Sequence, residues 1–358
     1  MLRLRRGVVV AADPLTVRVG EEERRAWADR SLVGQVAAGD DVILNTQALD
    51  LGLGSGGFDV VHVNLTRGLE GGANPGSHVM KLNYTSLQHA IDPVELGDEE
   101  ARLVRPAAAV PVLVLPLHGH LAPAAWALAQ ASPGLSLGYV QTAGGALPGS
   151  LSRDVAELRE RGLLASHVTA GPAYGGEHEA LSVLGALDAG IRRLDWDAVV
   201  CGAGPGILGS ATEYGHGGIA ALDSAHAAIA LGMPTLISPR LSASDPRPRH
   251  RGLSHHTKRV LELLLGAVQV AVPEIALEGW PTGEQGTDAV DLPSVLDALH
   301  EVCDDRHDVA VEPVDLVGYA ASGLPARTMG RSIDEDPLFF AAALAAGAAL
   351  AGAVPVEG

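Results

Sequence analysis

The stretch Ala109-Val110-Pro111-Val112-Leu113-Val114-Leu115 leads through Leu117-His118-Gly119-His120 into Pro123-Ala124-Ala125-Trp126-Ala127-Leu128-Ala129-Gln130-Ala131. The first part is a continuous apolar run of strand length, the last part is helix-like, and a polar turn with two histidines separates them. Continuous apolar strands, in place of strict alternation, belong to a sheet buried on both faces. The pattern recurs downstream. Strands are predicted at Leu135 to Val140, Ser166 to Ala170, Asp197 to Cys201, Pro234 to Ser238 and Ala267 to Val272, alternating with helices at Ser150 to Arg161, Glu177 to Ile191, Ile219 to Leu231 and Ser254 to Gly266. Repeated strand then helix makes residues 109–275 an α/β domain with a mostly parallel sheet and helices on both faces.

Outward from this block, residues 1–91 read as a small β-rich, barrel-like domain. Gly7 to Ala11, Leu15 to Val19, Asp41 to Thr46 and Phe58 to Leu65 are strand candidates, the last two flanking the glycine-rich Gly52-Leu53-Gly54-Ser55-Gly56-Gly57. Residues 92–108, with Glu95, Asp98, Glu99, Glu100 and Pro106, read as a linker. In the extension 276–358 an amphipathic helix is expected near Leu292 to Val302 and a short strand near Val309 to Val311. The uncharged, Ala-rich run Pro337 to Val356 approaches the length of a membrane span. Alanine and glycine insert poorly, and basic flanks are missing, so a buried helix or a homo-oligomer surface is expected instead.

The formal charge of -18 over 358 residues opposes binding to nucleic acid or an anionic membrane. Two cysteines, Cys201 and Cys303, in unlike contexts give no disulfide framework and suit a reducing cytoplasm. The basic start, Met1 to Arg6, runs straight into a strand-like segment with no apolar h-region or cleavage site, unlike a signal peptide.

Ligands of an open parallel sheet bind beyond the carboxyl ends of the strands, so the residues after each strand are the informative ones. His118 and His120, at i and i+2, would lie on one side of an extended segment and could share a divalent metal; the bland alternative is a polar loop with one histidine capping a helix. Gly144 and Gly145 follow the second strand. Gly204-x-Gly206-x-x-Gly209 follows the fourth and formally matches a dinucleotide fingerprint. A second glycine cluster interrupts the helix that should start there and no acid follows at the right spacing, so an NAD site is rejected in favour of a loop whose N–H groups cradle a phosphate or carboxylate. Glu213, His216, Asp223 and His226 are acid–base candidates in the same stretch.

The run from Arg240 to Arg259 holds six of the chain's 25 Lys and Arg and three of its 14 His. Arg240, Ser242, Arg247, Arg249, His250 and Arg251 would meet an anion together with Ser254, the N-cap of a helix beginning His255-His256. A solvated basic loop paired with surface carboxylates is the alternative. There is no Gly-x-Ser-x-Gly elbow and no Walker A lysine. Cys201 sits at a strand end, where a buried structural cysteine is commoner than a nucleophile.

Gly39-Asp40-Asp41-Val42-Ile43-Leu44-Asn45-Thr46, the Leu51 to Gly57 glycine run, His118-Gly119-His120, Gly204-Pro205-Gly206-Ile207-Leu208-Gly209 and Arg249-His250-Arg251-Gly252-Leu253-Ser254-His255-His256-Thr257 together resemble an uncharacterised bacterial family of unknown function, over nearly the whole chain. The resemblance implies no activity and no catalytic residue. It does imply that these motifs share one site. The residues themselves point to a hydrolase or group transferase on a small phosphorylated or carboxylated metabolite, with His255, His256, His216 and Glu213 catalytic. The rival is a non-catalytic metabolite-binding or scaffold protein.

Overall fold

A computed structural model describes residues 1–53, 56–72, 76–96, 109–210, 212–274 and 292–355. Most of the expected linker and the start of the expected C-terminal extension lie outside the described residues. Two compact units result, Met1–Asp92 and Pro93–Gly358.

In the first unit β1 (Leu4–Ala12), β2 (Leu15–Val19), β3 (Glu22–Trp27), β4 (Asp41–Asn45) and β5 (Asp59–Asn64) close into a barrel in the order β1-β2-β3-β5-β4. Alternate residues point inward, so Val9, Val17, Val42, Leu44 and Val61 fill the lumen. Strand β3 went unpredicted because Glu22, Glu23, Arg24 and Arg25 supply none of the apolar alternation that marks a strand. Two single-turn helices, α1 (Arg30–Val33) and α2 (Gln47–Asp50), link barrel strands, and β6 (Val79–Lys81) pairs with β7 (His89–Ile91) as a separate ribbon.

The second unit is built on a parallel sheet of eight strands among the described residues: β8 (Val112–Leu115), β9 (Leu137–Thr142), β10 (Ser166–Ala170), β11 (His178–Ala180), β12 (Ala198–Ala203), β13 (Thr235–Ile237), β16 (Gln269–Pro273) and β17 (Asp308–Glu312). Their order is β11-β10-β9-β12-β8-β13-β16-β17. The short pair β14 (Leu241–Ser242) and β15 (Gly252–Leu253) is antiparallel and closes the base of the basic loop; β18 (Arg327–Thr328) and β19 (Arg331–Ser332) form a second such pair. The connecting helices are α3 (Leu121–Ala131), α4 (Arg153–Glu160), α5 (Val183–Arg193), α6 (Ala220–Ala230), α7 (His255–Leu263), α8 (Leu292–Cys303) and α9 (Leu316–Ala321), and α10 (Pro337–Gly352) completes them.

Alternate residues of each strand enter different cores. Val112, Val114, Val199 and Ile237 pack under α5, α6 and α7, whereas Leu113, Leu115, Ala198 and Leu236 pack under α3, α4 and α10. Both faces are therefore covered, which is why the strands read as unbroken apolar runs. The helix expected from Glu177 begins only at Val183. His178-Glu179-Ala180 instead extends the sheet beside β10, with the Glu179 carboxylate accepting from the Thr169 hydroxyl (2.8 Å) and the Gly175 N–H (2.6 Å).

The Ala-rich run forms α10, which is buried almost all round, from Pro337 to Ala351, against α3 and β16. Its small side chains let the backbones meet: a Cβ added at Gly347 would come within 2.2 Å of the Ala124 carbonyl oxygen. The helix is thus core of its own unit, and its apolar face is already covered rather than offered to a second copy. Among the described residues no helix is long and apolar enough to cross a membrane.

Candidate ligand site at the carboxyl edge of the sheet

Strands β8 and β12 are neighbours, yet the chain leaves them for opposite faces. β8 continues into α3 on one face and β12 into α6 on the other, as the buried residues of the two helices divide between the two cores. Such a divergence opens a crevice beyond the carboxyl ends of the strands. The loop after β12 folds back over it. A Cβ added at Gly218 would lie 3.2 Å from His216 Nδ1, 3.3 Å from His256 Nδ1 and 3.3 Å from the Pro116 carbonyl oxygen, so residues after β8, after β12 and at the start of α7 converge there.

Four histidines line this convergence. The His216 and His256 rings stack with centroids 3.6 Å apart; His255 lies 4.4 Å from His256, and His250 lies 5.0 and 4.7 Å from His255 and His256. His216 Nε2 donates to the Glu213 carbonyl (3.0 Å), which leaves Nδ1 as the basic nitrogen. His250 Nδ1 and the Ser254 hydroxyl are 2.7 Å apart, and the same hydroxyl oxygen caps α7 by accepting the His256 N–H. His216 Nδ1, His255 Nε2, His256 Nδ1, His120 Nε2 and Arg240 Nε are buried with no hydrogen-bond partner among the described residues.

Arg240 is the electrostatic centre. Burial pushes its guanidinium down to about 10, against the opposing pull of Asp245. Burial first, and the charge of Arg240 among other causes, lowers His120, His216, His250, His255 and His256. His120 and His250 fall to about 3 and His256 to about 2, so these imidazoles are neutral at neutral pH.

The basic loop carries its own counter-charge. The Asp245 carboxylate, fully buried, accepts from Arg240 (3.1 Å), Arg247 (2.9 Å) and Arg331 (3.4 Å). Asp336, also buried, accepts from Ser242 Oγ (2.6 Å) and Arg331 Nε (3.0 Å). Ser242 and Ser254 are therefore framework groups, and Arg247 is committed to a carboxylate; Arg249 is exposed and Arg251 half-buried at the rim. Sequence reading missed Asp245, Arg331 and Asp336. Asp245 lies inside the run from Arg240 to Arg259, but Arg331 and Asp336 come from far along the chain, where no local pattern connects them to it.

The other expected residues divide. Glu213 is exposed and its side chain pairs with Arg259 (2.7 Å), leaving only its carbonyl turned to the site, on His216. His226 Nε2 accepts the Leu265 N–H (3.2 Å). Gly144, Gly145 and Gly204 serve backbone packing: a Cβ at Gly144 would meet the Gly217 carbonyl oxygen at 2.4 Å, one at Gly145 the Gly204 oxygen at 2.1 Å, and one at Gly204 the Ala146 oxygen at 2.3 Å. Gly206, at φ +74°, faces open space. Cys201 is buried and its thiol is pushed up to about 12, which removes it as a nucleophile.

His118-Gly119-His120 is a 3-10 turn rather than the extended segment that would align its two imidazoles. His118 Nε2 meets the Ser152 hydroxyl (2.7 Å) and Nδ1 the Tyr139 hydroxyl (3.3 Å), towards β9. His120 Nδ1 meets the Ser238 hydroxyl (2.7 Å) beyond β13, on the other side of β8. Both nitrogens of His118 are thus engaged by hydroxyls on the β9 side, and of the two histidines only His120 feels the charge of Arg240.

These features define an α/β protein with a cluster of histidines around a buried arginine at the carboxyl edge of a doubly covered parallel sheet. The chain belongs to the family described as protein of unknown function (DUF3866), which matches residues 25–347. Neither the curated proteins nor the solved structures contain a match to it.

Proposed function

We propose that the chain is a cytoplasmic enzyme that acts on a small phosphorylated or carboxylated metabolite, by hydrolysis or group transfer, in the crevice beyond β8, β12 and β13. One observation carries this reading: the buried Arg240 Nε has no partner among the described residues, and neither do His216 Nδ1, His255 Nε2 and His256 Nδ1 beside it. Each buried polar atom without a partner costs about 1–3 kcal/mol, so a group of them favours a ligand that arrives to complete their bonds. Arg240 offers an N–H to an anionic oxygen. His216, its Nε2–H fixed by the Glu213 carbonyl, offers a lone pair at Nδ1 to take a proton from the attacking water or hydroxyl. Arg249 and Arg251 at the rim attract the anion, and Asp245 keeps Arg240 aimed.

The test is thermal stabilisation and turnover across a panel of phosphomonoesters and small carboxylates. Saturable stabilisation with turnover, both lost in Arg240→Gln and with turnover alone lost in His216→Asn, is the expected result. Stabilisation without turnover of any panel member would make the protein a metabolite sensor, and no response to any anion at millimolar concentration would remove the site altogether.

A further inference from the structure

We propose that His250, His255 and His256 together form a binding site for a divalent transition-metal ion. One ring nitrogen from each lies within 4.8 Å of the other two, and among the described residues no other group of three histidine, cysteine or acidic side chains converges this closely. A tetrahedral zinc ion with bonds of about 2.1 Å holds its ligand nitrogens about 3.4 Å apart. The closing movement needed is thus on the order of 1 Å per ring.

The local fold explains the convergence. His250 ends the 3-10 turn Pro248–His250, where proline fixes the backbone, and β14 with β15 brings that turn back onto the start of α7. There the Ser254 cap sets His255 and His256 on the first two positions of the helix. Ser254 also supplies the outer partner that a metal-bound imidazole needs: with Nδ1–H of His250 donated to the Ser254 hydroxyl oxygen, Nε2 of His250 keeps its lone pair for the metal. His255 Nε2 and His256 Nδ1 are buried without a partner among the described residues, so binding an ion breaks no bond that either makes there. Three neutral imidazoles suit zinc, cobalt, nickel or copper better than magnesium or calcium. The positive helix end and Arg240 oppose a cation; the buried Asp245 carboxylate relieves only part of that charge, because Arg247 and Arg331 share it with Arg240.

Three protein ligands leave one position of a tetrahedral ion open, the arrangement of catalytic rather than structural sites. What would fill that position rests on the function proposed above: water, or an oxygen of the anion that Arg240 binds. Binding of the ion can be tested with no substrate at all.

The full chain, stripped with a chelator, is titrated with Co²⁺ and with Zn²⁺ while stoichiometry and the visible Co²⁺ spectrum are followed. One equivalent, with the intense visible bands of tetrahedral Co²⁺, is expected. His255→Gln and His256→Gln should each weaken binding by more than the roughly 10–100-fold that loss of an outer partner costs. His118→Gln, whose ring bonds elsewhere, should bind like the parent. His255 is half-buried, so its substitution is expected to leave the fold intact, which circular dichroism checks. Absence of stoichiometric binding, or equal binding by the His255→Gln and His256→Gln variants, overturns the inference. Metal binding without any anion response would sustain the metal site and sink the function proposed above; an anion response in metal-free protein, with no metal bound on titration, would do the reverse.

Discussion

Asp245 collects three guanidinium groups on one buried carboxylate, and its neighbour Arg240 is itself only 5% exposed. Burial would raise the Asp245 carboxyl, but Arg247 and Arg240 outweigh it and hold the group well below the usual carboxylate range. A depressed folded-state value means that the stabilisation is present above the unfolded value of about 3.9 and disappears as pH falls through the folded one. Asp245→Asn leaves a buried arginine without its counter-charge, so at neutral pH the variant should lose about 3–5 kcal/mol in denaturant unfolding. Its deficit relative to the parent should shrink as pH drops below about 4. A constant deficit across that range would mean that packing, not charge, is what Asp245 supplies. At this scale the sequence displayed the arginines and histidines of the site but not their state. The run from Arg240 to Arg259 reads as a free basic patch until Asp336 and Arg331 arrive from the other end of the unit to meet it.

The elements were legible wherever their own residues carried the pattern. Ser166–Ala170 is a strand as read, and α3, α6 and α7 begin and end within a few residues of expectation, because apolar periodicity survives when an element packs on a core. Strand β3 and strand β11 were not legible, one being charged and the other three residues long, so that hydrogen bonds to a neighbour define each. Helix α10 is the informative case. Its composition excluded little beyond a bilayer, and the close contact of Gly347 with the Ala124 carbonyl is what ties it to α3. Gly347→Val should force the two helices apart and cost about 1–3 kcal/mol or more, measured by chemical denaturation. Ala346→Gly, which adds no volume, should cost only about 1 kcal/mol by helix propensity. Similar losses in the two would show that the backbones do not meet as described.

At the scale of the whole chain, each of the two units has its own buried cluster, the barrel around Val17 and Leu44 and the α/β unit around its sheet. Removal of residues 337–358 should therefore collapse the α/β unit, which loses a helix buried from Pro337 to Ala351, while the barrel stays folded. Amide exchange resolved by segment checks this: protection should vanish in β8, β13 and β16 and persist in β1, β2 and β4. Retained protection in β8 would mean that α10 is dispensable to the core.

Composition and periodicity by themselves determined the architecture, since strands buried on both faces must be apolar throughout and their alternation with helices admits essentially one arrangement, a parallel covered sheet. They also marked the loops beyond the strand ends as the place to look. Only tertiary structure decided which histidines meet. The order of strands sends His118 and His120 to opposite sides of β8 and gathers His216, His250, His255 and His256 around Arg240, and strand order is set by packing between distant segments that no local spacing encodes.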